Sequence, residues 1–366
     1  MEISLDHINQ FLKKCRNANW AGVFYSLPPS RRRTGVSKDQ NNFQFLLQDL
    51  NEIQLSSKEE FIFHPFDHQI IPKVVLKPQF KNEEAIQQLE QNIDPSPYWS
   101  LPILKEFKTT EKKEYELQFE KYISAIQQGY CSKAILSTIT KKEIPADYGF
   151  GEFILRLRKE YPQAFIYLFS SPITGTWIGA TPETFLKWNG NEISTMSLAG
   201  TKKEESANFL FGDKEKNEQK IVTEYIEQIF TEYFGEVEIE KPVEFSYGEM
   251  VHLITRVAAK TSPDFTIKDF MRLTQQFHPT PAVGGYPKQA AINLIANTEK
   301  HSRLYYSGYL GPVNDSSAEL AVNLRCMTMN GDSLFVFAGG GITKDSNLEA
   351  EWAETRLKAQ ALLKFL

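Results

Sequence analysis

The chain has 366 residues, 41% of them hydrophobic, and 46 acidic against 41 basic side chains give a net charge of −5. That is enough apolar material for a large core, and charge spread without a basic block argues against a nucleic-acid surface. Cys15, Cys131 and Cys326 are far apart and in no CxxC pair, which supports neither a disulfide framework nor a structural zinc site and fits a reducing, cytoplasmic setting; the start, MEISLDHINQFLKK, lacks an apolar leader and no run of about 18 apolar residues occurs, so neither export nor a membrane partner is expected.

In residues 1–105 the runs WAGVFYSL, FQFLLQDL, EFIFHPF and IPKVVL read as strands or short helices, and PPSRRRTGVSKDQNN between two of them reads as a surface loop. From Thr110 the pattern sharpens: Tyr115, Phe119, Tyr122, Ile123 and Ile126 recur at helical spacing and Gly129 follows as a C-cap. KAILSTIT, opening at Lys133, is rich in β-branched residues and reads as a strand, as do AFIYLFSS, GTWIGA, ETFLKW, EISTMSL, SLFVFAG and, less distinctly, LAVNLRCMTM. Long amphipathic helices follow Asp213 and Ser346, with a third helical stretch at Thr266–Gln276. Runs of strands broken by helices predict an α+β fold.

The acids carry the chemical signal. Asp213 is a candidate cap for a helix whose apolar stripe runs Ile221, Val222, Tyr225, Ile226, Ile229, Phe230; extended backward, the stripe reaches Glu218, with Glu215 one turn earlier. Gln219 falls off that stripe. Ser346 and Glu349 read as a capping box for the last helix, which then presents Glu351, Glu354 and Lys358 on one face, Glu354 lining up with Ala350, Leu357 and Ala361 as its buried side. Taken alone, each E-x-x-E pair is better read as a solvated face. Two helices with the same device, each with an acid on the inward stripe, point instead to a shared hard cation such as Mg²⁺, held by few protein ligands. The AGGGI run before the last helix lacks the GK[ST] of a phosphate loop, which leaves close packing or backbone approach to a ligand.

In order along residues 106–366, the motifs KAILST, WIGATPE, SLAGTK, DKEKNE, FHPTPAVGGYPK, YYSGYLGP, NLRC, AGGGI and SNLEAEWAETRLK resemble the chorismate-utilising enzymes, with FHPTPAVGGYP similar to the isochorismate synthase version of its segment. The resemblance implies one large catalytic domain over residues 1–366, its first hundred residues variable, built of packed, mostly antiparallel sheets flanked by helices. It implies a small-molecule substrate, chorismate, a Mg²⁺ cofactor and a monomer.

By the same resemblance, Lys133 corresponds to the base that activates water and Glu183, in ATPE, to the acid that protonates the leaving hydroxyl. Glu218 and Glu354 correspond to the metal ligands, with Glu215 and Glu351 in support. Tyr306 and Arg325 correspond to the pair that holds the enolpyruvyl carboxylate, while Gly200, Thr201, Gly341 and Lys358 complete the anion pocket. His278 corresponds to a histidine near the C4 hydroxyl, with Thr280 and Ala282 shaping the pocket. For Lys133 the ordinary alternative is a snorkelling strand-end lysine, for Glu183 a turn acid, and for His278 a structural ring. Gln219 replaces a histidine common among relatives, and Lys202-Lys203 replace an arginine.

The activity so implied is Mg²⁺-dependent isochorismate formation. Its rivals are salicylate synthase, the large subunit of anthranilate or aminodeoxychorismate synthase, and an inactive chorismate-binding protein; Ala199, where aminodeoxychorismate synthases carry lysine, weighs against an amination route. Whether the product serves menaquinone or siderophore synthesis is not written in these residues.

Overall fold

The computed structural model describes residues 4–17, 20–28, 43–49, 59–90, 107–145, 148–203 and 211–366. Most of PPSRRRTGVSKDQNN lies outside them. The first third holds α1 (Leu5–Asn17), β1 (Trp20–Ser26), β2 (Phe43–Asp49), β3 (Glu59–His64), β4 (Val74–Leu76), β5 (Phe80–Lys81), α2 (Asn82–Glu90) and α3 (Lys112–Gln127). The middle follows with β6 (Lys133–Glu143), α4 (Phe150–Glu160), β7 (Phe165–Ser171), β8 (Gly175–Thr181), β9 (Thr184–Trp188), β10 (Glu192–Lys203) and α5 (Asp213–Phe234). The rest comprises β11 (Glu238–Ile239), β12 (Val243–Tyr247), β13 (Met250–Lys260), α6 (Ile267–Phe277), β14 (Gly285–Tyr286), α7 (Lys288–Thr298), β15 (Tyr309–Asn314), β16 (Ala318–Val322), β17 (Cys326–Asn330), β18 (Ser333–Thr343) and α8 (Leu348–Leu363).

Among the described residues the strands form two nine-stranded antiparallel sheets, the α+β arrangement expected. One runs β14, β6, β18, β17, β8, β7, β1, β2, β5; the other runs β11, β13, β10, β9, β16, β15, β3, β4, with β12 also paired to β13. No helix among the described residues is long and apolar enough to cross a membrane.

The alternation of strand side chains assigns the core. In β7, Phe165, Tyr167 and Phe169 point between the sheets, where they meet Phe61, Phe63, Trp177 and Tyr305, while Ile166 and Leu168 point to the opposite face and pack with α1 and α4. Because both faces are covered, such strands read as unbroken apolar runs. The outer face of the second sheet is closed by α5 and α6 through Val222, Ile226, Phe230, Phe270 and Leu273.

The run LAVNLRCMTM is not one strand. It ends in the second sheet as β16, turns through Asn323–Arg325, and resumes in the first sheet as β17. Pro182 and Glu183 make the opposite passage between β8 and β9. The two crossovers lie side by side: Ala180 N–H donates to Arg325 O at 3.0 Å, and Val322 N–H donates to Glu183 O at 3.0 Å. They therefore bring Glu183 and Arg325, 142 positions apart in sequence, to one end of the sandwich.

Two helix starts differ from expectation. Asn347, not Ser346, caps α8, accepting from Ala350 N–H at 3.1 Å, while the Ser346 hydroxyl donates to Glu351 at 2.7 Å and Glu349 reaches out to Lys112. Gly212 takes the cap position of α5, its N–H bonded to the Glu215 carboxylate at 2.8 Å, which displaces Asp213 into the first turn. The buried side of α8 is Glu351, Thr355, Ala359, Ala361 and Leu362; of the expected line Ala361 is buried, Glu354 and Leu357 are half-buried, and Ala350 is exposed.

The turn at Asn323 is held by a buried side chain that accepts from the Tyr167 hydroxyl at 2.5 Å and donates to Tyr305 O at 2.8 Å. Asn323→Ala strands both partners, and chemical denaturation is expected to show a loss of about 2–4 kcal/mol. Tyr167→Phe, which leaves the Tyr305 bond in place, is expected to cost about 1 kcal/mol.

Candidate active site

A cleft opens where the crossovers, the N-terminal turns of α5 and α8, and the end of β6 meet. Its walls include Lys133, Glu183, Gly200, Glu218, Tyr306, Arg325, Gly341, Glu354 and Lys358, nine of the thirteen site residues expected from sequence.

Lys133 opens β6, opposite Thr343 of β18 in register, and is 2% exposed. Burial lowers its affinity for a proton, opposed by Glu218, whose carboxylate lies 3.7 Å from the amine. Glu183 is buried at its crossover, and burial raises its carboxyl to about 8 against the pull of Lys133 and Lys358. Near neutrality the carboxyl is mostly protonated. The ordinary fates of these two residues, a snorkelling lysine and a turn acid, do not describe them.

The three glycines of β18 make room. A Cβ on Gly339 would stand 2.8 Å from the Tyr306 hydroxyl, on Gly340 3.0 Å from Glu351 Oε2, and on Gly341 2.9 Å from both Glu218 Oε2 and Lys133 Cε. Their role is space for charged side chains on either face of the strand, which is why a glycine run precedes an acidic helix.

Arg325 is buried and makes no ion pair among the described residues. Its guanidinium lies 5.4 Å over the Tyr247 ring, donates to Met250 Sδ at 3.1 Å, and faces His252 Nε2 at 3.4 Å. His252 Nδ1 meets Gly200 O at 2.9 Å and so carries the ring proton, leaving Nε2 to accept; burial, reinforced by Arg325, lowers its pKa to about 3. Gly200 itself stands at φ +70° where β10 slips register against β13. An unpaired buried guanidinium of this kind is a receptor for a carboxylate.

The acids divide. Glu354 lies on the cleft wall, bonded to Lys358 at 2.6 Å, and Lys358 also donates to Gly339 O at 2.8 Å. Glu351 sits behind that wall, 1% exposed, bonded by Ser346 and Lys214, with its Oε2 buried and without a hydrogen-bond partner. Burial and the neighbouring Glu354 push Glu351 up; against the upward push of burial, Lys358 holds Glu354 down. Lys214, 3.5 Å from Glu218 Oε1, bridges the two helices. In this arrangement no three histidine, cysteine or acidic side chains among the described residues converge as a cation site by themselves.

Three expected residues do not reach the cleft wall. Glu215 turns back to cap its helix and packs beneath Gly200. Glu351 stands one layer deeper. The Thr201 side chain lies outside the described residues, although its backbone continues β10. His278 ends α6 and stacks among His64, Phe185 and Tyr309, its Nε2 on Phe66 O at 3.1 Å; burial lowers its pKa to about 3. The histidine at the cleft is His252, which the sequence reading missed, and Ala282 lines the cleft while Thr280 does not. Gln219 also faces inward, bonded to Ser197 at 3.1 Å and to Thr255.

The sequence profile of the family described as chorismate binding enzyme matches residues 24–366. Isochorismate synthase EntC of Escherichia coli is 26% identical over 277 residues, covering 72% of this chain and 70% of its own; isochorismate synthase MenF of Bacillus subtilis is 31% identical over 212 residues, 55% and 44% of the two chains. In solved structures, the menaquinone-specific isochorismate synthase MenF from Escherichia coli superposes with a TM-score of 0.76 at 18% identity, covering 98% of this chain and 90% of that one. DhbC from Bacillus anthracis, described as a putative 2,3-dihydroxybenzoate-specific isochorismate synthase, gives 0.73 at 20% identity, with 94% and 96% covered. A match that begins within the first strand and runs through the last helix spans nearly the whole described fold, and the chain belongs to the chorismate-binding enzyme family.

Proposed function

We propose that this chain is an isochorismate synthase that exchanges the C4 hydroxyl of chorismate for a hydroxyl at C2 delivered by water. One observation carries the reading: a single cleft holds a buried amine whose proton affinity is lowered and a buried carboxyl whose proton affinity is raised. Lys133 takes the proton of the attacking water, and Glu183 gives a proton to the departing hydroxyl. An acid and a base inverted in this way serve a reaction that binding alone does not need. The EntC and MenF relatives, both named as isochorismate synthases, support the same reading.

The remaining residues orient the substrate. Arg325, kept flat by Tyr247 and by His252, receives one carboxylate together with the Tyr306 hydroxyl. Lys358 supplies positive charge at the Gly339–Gly341 edge. One carboxylate of the substrate is thus met by a guanidinium and a hydroxyl, away from the acid cluster.

The acid cluster fits a hard divalent cation. Its donors are all carboxylate oxygens, one of them, Glu351 Oε2, is buried without a partner, and a lysine ammonium lies between Glu351 and Glu218. Glu218 and Glu354 would hold Mg²⁺ directly, with Glu351 in support, while Glu215 is committed to the cap of α5. When bound, the ion supplies positive charge that neutralises a substrate carboxylate and polarises the ring.

Purified protein given chorismate and MgCl₂ is expected to form isochorismate, resolved by chromatography. Salicylate with pyruvate, or an aminated product on adding ammonium, would replace this reading with one of its rivals. Lys133→Ala and Glu183→Gln are each expected to lower kcat by about 10²–10⁴-fold, as loss of a proton-transfer group does.

The pH profile follows from Glu183. Its carboxyl is a proton donor only below about 8, so kcat/KM is expected to fall as pH rises through about 8, because the ionised form can no longer donate. Measured between pH 6 and 10, an alkaline limb absent from the wild type would contradict the assignment of the acid.

A further inference from the structure

We propose that Lys214 is the built-in counter-cation of the acid cluster, and that a divalent cation enters by displacing its ammonium toward solvent. This rests on the metal reading given above. Lys214 lies in the first turn of α5, where the helix dipole disfavours a positive charge, so the acids rather than the helix account for its position. Its ammonium donates to Glu351 Oε1 of α8 and lies 3.5 Å from Glu218 Oε1 of its own helix. Among the described residues it makes the ion pair that joins the two helices.

The three side chains differ in access. Glu351 and Glu218 are 1% and 11% exposed, and Lys214 is 26% exposed. Glu351 is closed off from water and Glu218 meets it only at the cleft, whereas the amine lies at the margin and rests on a flexible four-carbon stem. Glu351 and Glu354 face each other one turn apart on α8, and only Glu354 has its own lysine, Lys358. Without Lys214, Glu351 would keep only the Ser346 hydroxyl, and burying an unpaired carboxylate is costly. A divalent ion brings more charge to the same oxygens than the ammonium does, and Glu351 Oε2, unpartnered behind Gly340, offers a donor that Lys214 leaves unused. Displacement therefore exchanges one ion pair for coordination by oxygens already in place.

The test uses chelator-treated full-length protein titrated with MnCl₂ by calorimetry, without chorismate. Lys214→Met is expected to bind Mn²⁺ at least about ten-fold more tightly than wild type, since the competing cation is gone, whereas Lys214→Arg is expected to bind no more tightly than wild type. In the metal-free state Lys214→Met is expected to melt at a lower temperature than wild type and to gain more from Mn²⁺. Equal or weaker Mn²⁺ binding by a folded Lys214→Met protein overturns the proposal while leaving the metal reading intact. Absence of Mn²⁺ uptake by wild type and variant alike overturns the metal reading itself. A second measurement needs no variant: acylation of Lys214 in wild type, followed by mass spectrometry, is expected to speed up when Mn²⁺ is added. Unchanged or slower labelling counts against displacement.

Discussion

Everything at this site depends on the cost of burying charge. Lys133, Glu183, Glu218, Glu351 and Arg325 are all buried, and little water is there to share their fields. Each group must either find an opposite charge, give up its ionised form, or wait for a ligand. Glu351 takes the first course with Lys214, Glu183 the second, and Arg325 the third. The cleft is thus an arrangement of charges only partly neutralised by one another.

The sheets make that arrangement possible because they are buried on both faces. A charged side chain on such a strand can point only into the sandwich or into a helix layer, and Lys133 escapes both by sitting at the strand's first residue. Glu183 and Arg325 are placed by the paired crossovers, whose backbones are hydrogen-bonded to each other. The same crossovers tie β8 and β9 to β16 and β17. Positioning of the Glu183 carboxyl and of the Arg325 guanidinium is therefore coupled to the joining of the two sheets, and Asn323, which fixes the turn, contributes to both.

Strand and helix identities were legible wherever periodicity spans eight or more residues, as in KAILSTIT or the stripe from Val222 to Phe230. LAVNLRCMTM was misleading because an apolar run carries no mark of which sheet it belongs to; Arg325 at φ +47° is the break, and arginine gives no sign of that conformation. The cap at Ser346 was misassigned because Asn347 is an equally good acceptor one position on. His278 drew attention through its proline-rich setting, whereas His252 sits within MVHLITRV, where a histidine inside a largely apolar strand was the available signal. Gln219 was placed outside the stripe because Ile221 was counted within it; the stripe in the structure runs Gln219, Val222, Ile226, Ile229. Glu215 and Glu218 looked equivalent on a helical wheel, and only the backbone at Gly212 separates the one that caps from the one that faces the cleft.

The lysine and the glutamate also illustrate why composition of a site does not fix its chemistry. A protonated Glu183 with neutral Lys133 holds the same number of protons as the ion pair, so pH alone cannot choose between the two arrangements. Environment does. Burial penalises both charged forms, which favours the neutral pair, while Glu218 beside the amine and Lys358 toward the carboxyl each favour an ionised partner. Those stabilising charges are themselves paired, Glu218 with Lys214 and Lys358 with Glu354, which weakens their bias. Had Glu218 faced Lys133 without Lys214, the amine would be held more firmly charged and would be a weaker base near neutral pH. The outer ion pairs thus act on the reacting groups at one remove, by limiting how strongly their immediate neighbours can bias a proton.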